Sequence, residues 1–115
     1  MSTLTLYGLK NCDTCKKALK ALEGAGKAVT FVNIRTEADL PAKVPAWLEV
    51  VGTEKLLNKR STTWRGLSDT EQAKALADGT QEALIANPTL IKRPVIERGK
   101  EVHVGWTKDV EATLA

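Results

Sequence analysis

Cysteine and histidine are scarce in this chain, and no apolar run approaches the ~20 residues that a membrane span needs. There are two cysteines, Cys12 and Cys15, and one histidine, His103. A disulfide between residues three apart closes almost no loop and stabilises little, so a secreted disulfide scaffold is excluded. A structural zinc site wants four ligands, and two cysteines with one distant histidine fall short of that. The opening stretch Met1-Ser2-Thr3-Leu4 lacks the basic-then-apolar layout of a signal peptide, so a cytoplasmic protein away from membranes is expected. No charge sign dominates: 17 basic residues against 14 acidic ones leave a net charge of +3. That balance permits anionic ligands and gives no argument for nucleic acid. Internal repeats, low-complexity tracts and linkers are absent too. What remains is an ordinary globular composition, 43% hydrophobic and 27% charged over 115 residues. One domain is expected, burying roughly two-thirds of the unfolded chain's surface.

The periodicity changes along the chain. Thr3-Leu4-Thr5-Leu6-Tyr7 alternates as a strand does, and Gly8 to Asn11 reads as a loop. From Asp13 to Glu23, Cys15, Ala18, Leu19 and Leu22 share one helical face, with Lys16, Lys17, Lys20 and Glu23 opposite. Gly24 and Gly26 end that helix, and Val29–Asn33 is a second strand. A strand, a helix and a strand with short links make a parallel βαβ unit.

The middle reads as helical. Pro41 and Pro45 suit first-turn positions, and Trp47, Leu48 and Val51 form an apolar stripe before Gly52. Thr53 reads as the cap of a short helix through Leu57. Ser68 and Glu71 have capping-box spacing, opening a helix that stops near Asp78-Gly79; Thr80 starts another, ended by Asn87-Pro88. Strands then return: Pro94–Arg98 and Glu101–Val104 flank Gly99-Lys100, a pair suited to a two-residue II′ hairpin. Thr107 caps a last helix containing Val110 and Leu114. This order predicts an α/β, thioredoxin-like fold. It is a single domain over 1–115, with a mixed four-stranded sheet, helices on both faces, and a helical insertion at about 37–89 between its βαβ half and its hairpin-helix half.

Strand, loop, then Cys12 at a helix start is a layout with a mechanism. First-turn N–H groups and the helix dipole favour thiolate over thiol, which makes Cys12 the better nucleophile. Cys15 lies one turn on, within reach of a mixed disulfide on Cys12, and the apolar stripe shields it. Redox chemistry, metal binding and plain packing can all supply a C-x-x-C; its place after a strand and at a helix start favours the first.

Asn11-Cys12-Asp13-Thr14-Cys15-Lys16-Lys17-Ala18 resembles the arsenate reductase (ArsC) family of thioredoxin-like proteins, which includes the Spx-type regulators. Leu56–Ser61 resembles that family's insertion segment with its active-site arginine, and Leu90–Val95 resembles the Arg-Pro segment that opens its third strand. Arg60-Ser61-Thr62-Thr63-Trp64-Arg65 matches the pattern of the YffB-like branch. The resemblance implies that Cys12 is the nucleophile, that Arg60 and Arg93 hold an oxyanion or carboxylate near it, that Asn11 and Pro94 join the substrate site, and that the bond before Pro94 is cis. Two guanidiniums beside a sulfur would also depress its pKa. Where arsenate reductases carry a third arginine after the final strand, this chain has Gly105-Trp106-Thr107. That departure weakens arsenate as a substrate and favours a generic thiol or disulfide.

Two functions from different classes follow. One is a thiol-disulfide oxidoreductase with no tightly bound cofactor. It would use glutathione as thiol co-substrate, with glutaredoxin as a further partner and a small oxyanion or disulfide as substrate. The other is a redox-sensing regulator that binds RNA polymerase, with Gly52-Thr53-Glu54-Lys55 on its docking surface. The arginine pair favours the enzyme. Lys16, Lys17 and Lys20 read as a solvated helix face. His103 reads as an ordinary strand histidine, since nothing near it in sequence orients it. Trp47 and Trp64 read as packing residues, Trp64 lying close enough after Arg60 to edge a site.

Overall fold

The computed structural model describes residues 3–115; Met1 and Ser2, part of the N-terminal stretch read above, lie outside them. These residues divide into two compact units, one of residues 3–38 with Arg93–Ala115 and one of Asp39–Lys92.

The first unit holds β1 (Thr3–Gly8), α1 (Asp13–Gly24), β2 (Ala28–Asn33), β3 (Val95–Arg98), β4 (Glu101–Val104) and α7 (Lys108–Leu114). Its sheet has the order β2-β1-β3-β4, with β1 parallel to β2 and antiparallel to β3, so it is mixed and four-stranded as expected. The alternation of β1 sends Leu4 and Leu6 to one face, where Cys15, Ala18 and Leu22 of α1, Ile96 of β3 and Leu114 of α7 complete a buried cluster. Both helices of this unit share that face, which differs from the expected arrangement with helices on both. On the other face the Tyr7 hydroxyl donates to Glu97 at 2.8 Å.

Strand β1 extends to Gly8, one residue into the expected loop, because the Gly8 carbonyl accepts the Ile34 N–H at 3.0 Å. Helix α1 ends in a Schellman motif: Gly26, at φ +80°, donates to Glu23, and Lys27 donates to Leu22. Gly99 adopts φ +59° while Lys100 stays at negative φ, the signature of the expected II′ turn, and Arg98 pairs with Glu101 across it. Thr107 caps α7 by accepting the Val110 N–H at 3.2 Å.

The second unit is helical: α2 (Leu40–Val51), α3 (Thr53–Leu56), α4 (Thr62–Arg65), α5 (Asp69–Ala75), α6 (Thr80–Ala86) and a 3-10 turn at Pro88–Leu90. Four of the expectations above change here. Pro41 sits in the first turn of α2, but Pro45 lies inside the helix. The donor it lacks concerns only the Pro41 carbonyl at the helix start, and buried Leu40, Val44 and Trp47 hold the helix across it. Thr53 is the first residue of α3 and not its cap; Gly52, at φ +83°, takes the cap position. Helix α5 stops at Ala75, short of Asp78-Gly79, because the Ala77 and Gly79 N–H groups turn back to the Lys74 carbonyl. The short helix α4 was not expected, and Ser61 caps it by accepting the Trp64 N–H at 3.1 Å. The capping box of Ser68 and Glu71 forms as its spacing predicts. No helix among the described residues is long and apolar enough to cross a membrane.

Candidate thiol site

Cys12 occupies the N-cap of α1 with extended backbone, φ −92° and ψ 117°. Its N–H closes a turn on the Leu9 carbonyl at 3.1 Å, and its own carbonyl accepts the Lys16 N–H at 3.0 Å. The sulfur is half-buried against the Leu4–Leu6–Leu22 cluster. Cys15, one turn on, is fully buried, as its place on the apolar stripe predicts. Both thiols are free.

The two sulfurs have opposite acidities. Burial pushes Cys12 up, but it is outweighed by the N–H and thiol of Cys15, the Arg93 guanidinium and the Thr14 N–H, which together hold Cys12 below the ordinary thiol value. No first-turn donor makes a well-formed capping bond to the sulfur. The donors nonetheless converge on it, and their partial positive charge is enough to favour the thiolate. Cys15 is pushed up to about 12, above all by its burial. The approach of β1 is close: a Cβ placed on Gly8 would lie 2.5 Å from the Cys15 sulfur. Gly8 is therefore a glycine because the backbone must pass this thiol, and not for its conformational freedom.

Arg93 stands in the same unit, and its charge acts on both sulfurs. Its Nε and Nη1 are shut from solvent with no hydrogen-bond partner. The Arg93–Pro94 peptide is cis, as the resemblance implies, and the buried Pro94 accepts the Gly105 N–H at 2.8 Å. Asn11 is exposed in the turn before Cys12. Trp106 is half-buried and packs on the same apolar cluster as Cys12. Arg60 belongs to the helical unit. It is exposed in a turn where Asn58 accepts its N–H at 3.1 Å and Asn58 in turn donates to the Leu90 carbonyl at 2.7 Å. His103 does have a partner close in sequence, Glu101 at 3.3 Å on the same strand face. Among the described residues no group of three or more His, Cys, Asp and Glu is placed to hold a metal ion.

Sequence reasoning passed over three residues of this unit. Gly8 is one; the others are Lys10 and Arg35, which with Leu9, Asn11, Asn33 and Thr36 line a cleft of about 390 Å³. Their signal was positional, since both lie just past the carboxyl ends of neighbouring parallel strands, where ligands bind in open α/β sheets.

A four-stranded mixed sheet, a cysteine capping the helix after its first strand and a cis-proline before its third define a thioredoxin-like protein. The ArsC family's sequence profile matches residues 7–113, and the chain belongs to that family. A protein of Haemophilus influenzae is 41% identical over 116 residues, covering 97% of this chain and 99% of that one. A solved structure of a protein named YFFB superposes with a TM-score of 0.87 at 34% identity, over 97% of this chain and 99% of its own. An arsenate reductase-related protein of Brucella melitensis has a TM-score of 0.76 at 38% identity, covering 96% and 92%. The global transcriptional regulator Spx of Staphylococcus saprophyticus is 29% identical over 108 residues, 92% of this chain and 82% of that one.

Proposed function

We propose that the protein is a thiol-disulfide oxidoreductase that uses glutathione as thiol donor. The observation that carries this reading is the split between the sulfurs, Cys12 held below the ordinary range and Cys15 pushed up to about 12. The Cys12 thiolate attacks one sulfur of a disulfide substrate. The substrate S–S bond breaks, its other sulfur leaves as a thiolate that takes a proton from water, and Cys12 is left in a mixed disulfide. A glutathione thiolate then attacks the substrate-derived sulfur and returns Cys12 as thiolate. Alternatively, Cys15 loses its proton and attacks the Cys12 sulfur of the mixed disulfide, which breaks its S–S bond, expels the substrate thiolate and leaves a Cys12–Cys15 disulfide that two glutathiones reduce to the dithiol as oxidised glutathione forms. Arg93 stabilises each thiolate as it forms, and its two unpartnered donors can grip an anionic group. Arg60 is proposed as the second anion-binding arginine.

Trp106 bears on the substrate. Arsenate is an anion that needs donors on several sides, and an indole offers one N–H. An apolar ring packed on the same cluster as Cys12 suits the stem of a peptide-like thiol better. Steady-state turnover with glutathione and a coupled reductase tests this. Reduction of a glutathione-linked disulfide is expected, lost in Cys12→Ser, with arsenate reduced slowly and Trp106→Arg shifting preference toward arsenate. Efficient arsenate reduction by the unmodified protein would overturn the disulfide preference.

The likeness to Spx favours a second reading, a redox-sensing regulator that docks on RNA polymerase. Glu54 and Lys55 of α3 are exposed and available to such a surface. Cys12 would then oxidise once without cycling, and its oxidation would change polymerase affinity.

A further inference from the structure

The cleft at the turn that leads into Cys12 has no part in the mechanism above. It lies between two turns of the same unit, Leu9–Asn11 after β1 and Asn33–Thr36 after β2. The parallel register that pairs Gly8 with Asn33 brings these turns together, and the Ile34 N–H seals them at their base by donating to Gly8. The lining mixes apolar and polar surface and carries two cations, Lys10 and Arg35, with no carboxylate. Neither cation makes an ion pair or side-chain hydrogen bond among the described residues. The carboxylates close in sequence, Asp13, Glu37 and Asp39, do not line the cleft, and Glu37 accepts the Asn33 N–H at 2.9 Å. The Asn33 side-chain oxygen accepts the N–H groups of Arg35 and Thr36, at 2.9 and 3.2 Å, which leaves its amide donors over for a ligand. Asn11 lines the cleft and precedes Cys12 in the chain, and Leu9, which also lines it, accepts the Cys12 N–H at 3.1 Å.

Two unpaired cations and spare amide donors, with no acid among them, recognise carboxylate. We infer that this cleft binds the carboxylate end of a peptide-sized thiol or disulfide while its sulfur meets Cys12, so that the site selects anionic thiols over neutral ones. The inference rests on the oxidoreductase reading but is read out separately from turnover.

The experiment is a single-turnover exchange between the reduced protein and a matched pair of disulfides, oxidised glutathione and its carboxylate-esterified form. In each, the Cys12 thiolate attacks one glutathione sulfur, the S–S bond breaks, one glutathione thiolate leaves, and Cys12 gains one glutathionyl group that mass spectrometry counts. The acid form is expected to react several-fold faster, with the advantage shrinking as salt rises to screen exposed charges. Lys10→Gln with Arg35→Gln should remove the preference. Lys27→Gln, which removes an exposed cation before the start of β2, should keep it. Equal rates for the two forms in the unmodified protein, or a preference that survives the double variant, would overturn the inference. A preference without multiple turnover would sink the oxidoreductase reading and leave the cleft standing, whereas turnover without a preference does the reverse. A Cys12 inert to both disulfides would overturn both.

Discussion

At the scale of single residues, the site is governed by how little room surrounds Cys15. Its sulfur lies against the backbone of β1, and this contact both excludes water from the thiol and forbids a side chain at position 8. Loss of hydration makes its thiolate costly, which is why Cys15 stays protonated and can donate to Cys12. Gly8→Ala would put a methyl carbon 2.5 Å from that sulfur, 3.1 Å from the Cys15 Cβ and 3.3 Å from Leu6 Cδ2. Overpacking of this kind costs ~1–3 kcal/mol. Denaturant unfolding should show that loss, and Cys15→Ala combined with Gly8→Ala should lose less than the two single variants summed, since the first change frees the space the second fills. Strict additivity would mean that the two residues do not share the space this geometry gives them.

At the scale of elements, the helices divide by how they begin: α4, α5 and α7 open on a hydroxyl cap, whereas α1, α2, α3 and α6 have no side-chain capping bond. Ser61, Ser68 and Thr107 each cap with a hydroxyl that accepts a first-turn N–H. Helix α1 has a cysteine in that place and no capping bond of good geometry, so its start gives up some stability to leave a reactive group facing the first-turn donors. Ser68→Ala should therefore cost ~1 kcal/mol of unfolding free energy, as loss of a capping hydroxyl does. Reactivity of Cys12 toward an alkylating agent should be unaltered in that variant. A change in Cys12 reactivity would show that α5 influences the thiol, a link that no hydrogen bond of this cap provides.

At the scale of the whole molecule, the raised pKa of Cys15 ties global stability to pH. The unfolded chain loses this proton near the ordinary value of 9.0, the folded one only at about 12. Below 9.0 both states hold the proton and the contribution is complete; between 9.0 and about 12 the unfolded state binds fewer protons, so stability falls as pH rises. Unfolding free energy measured across that range should fall more steeply for the unmodified protein than for Cys15→Ala, and equal slopes would remove Cys15 as the cause. Much of this architecture was legible beforehand. Alternation marked β1, the stripe of Cys15, Ala18 and Leu22 marked α1, and Gly99-Lys100 marked the hairpin, because in each case a local period or a local backbone requirement decides the conformation. The same reasoning placed Pro45 and Thr53 wrongly, since the burial of Leu40, Val44 and Trp47 that carries α2 across a proline is a tertiary effect. By itself, then, the sequence determined the order of strands and helices, the cysteine at a helix start and the burial of its neighbour, all set by contacts within a few residues. Only the tertiary structure decided that β1 presses on Cys15, that Arg93 keeps buried donors without partners, and that Lys10 and Arg35 face one cleft. Those depend on which strands pair and in what register, and register is settled by the packing of the whole sheet.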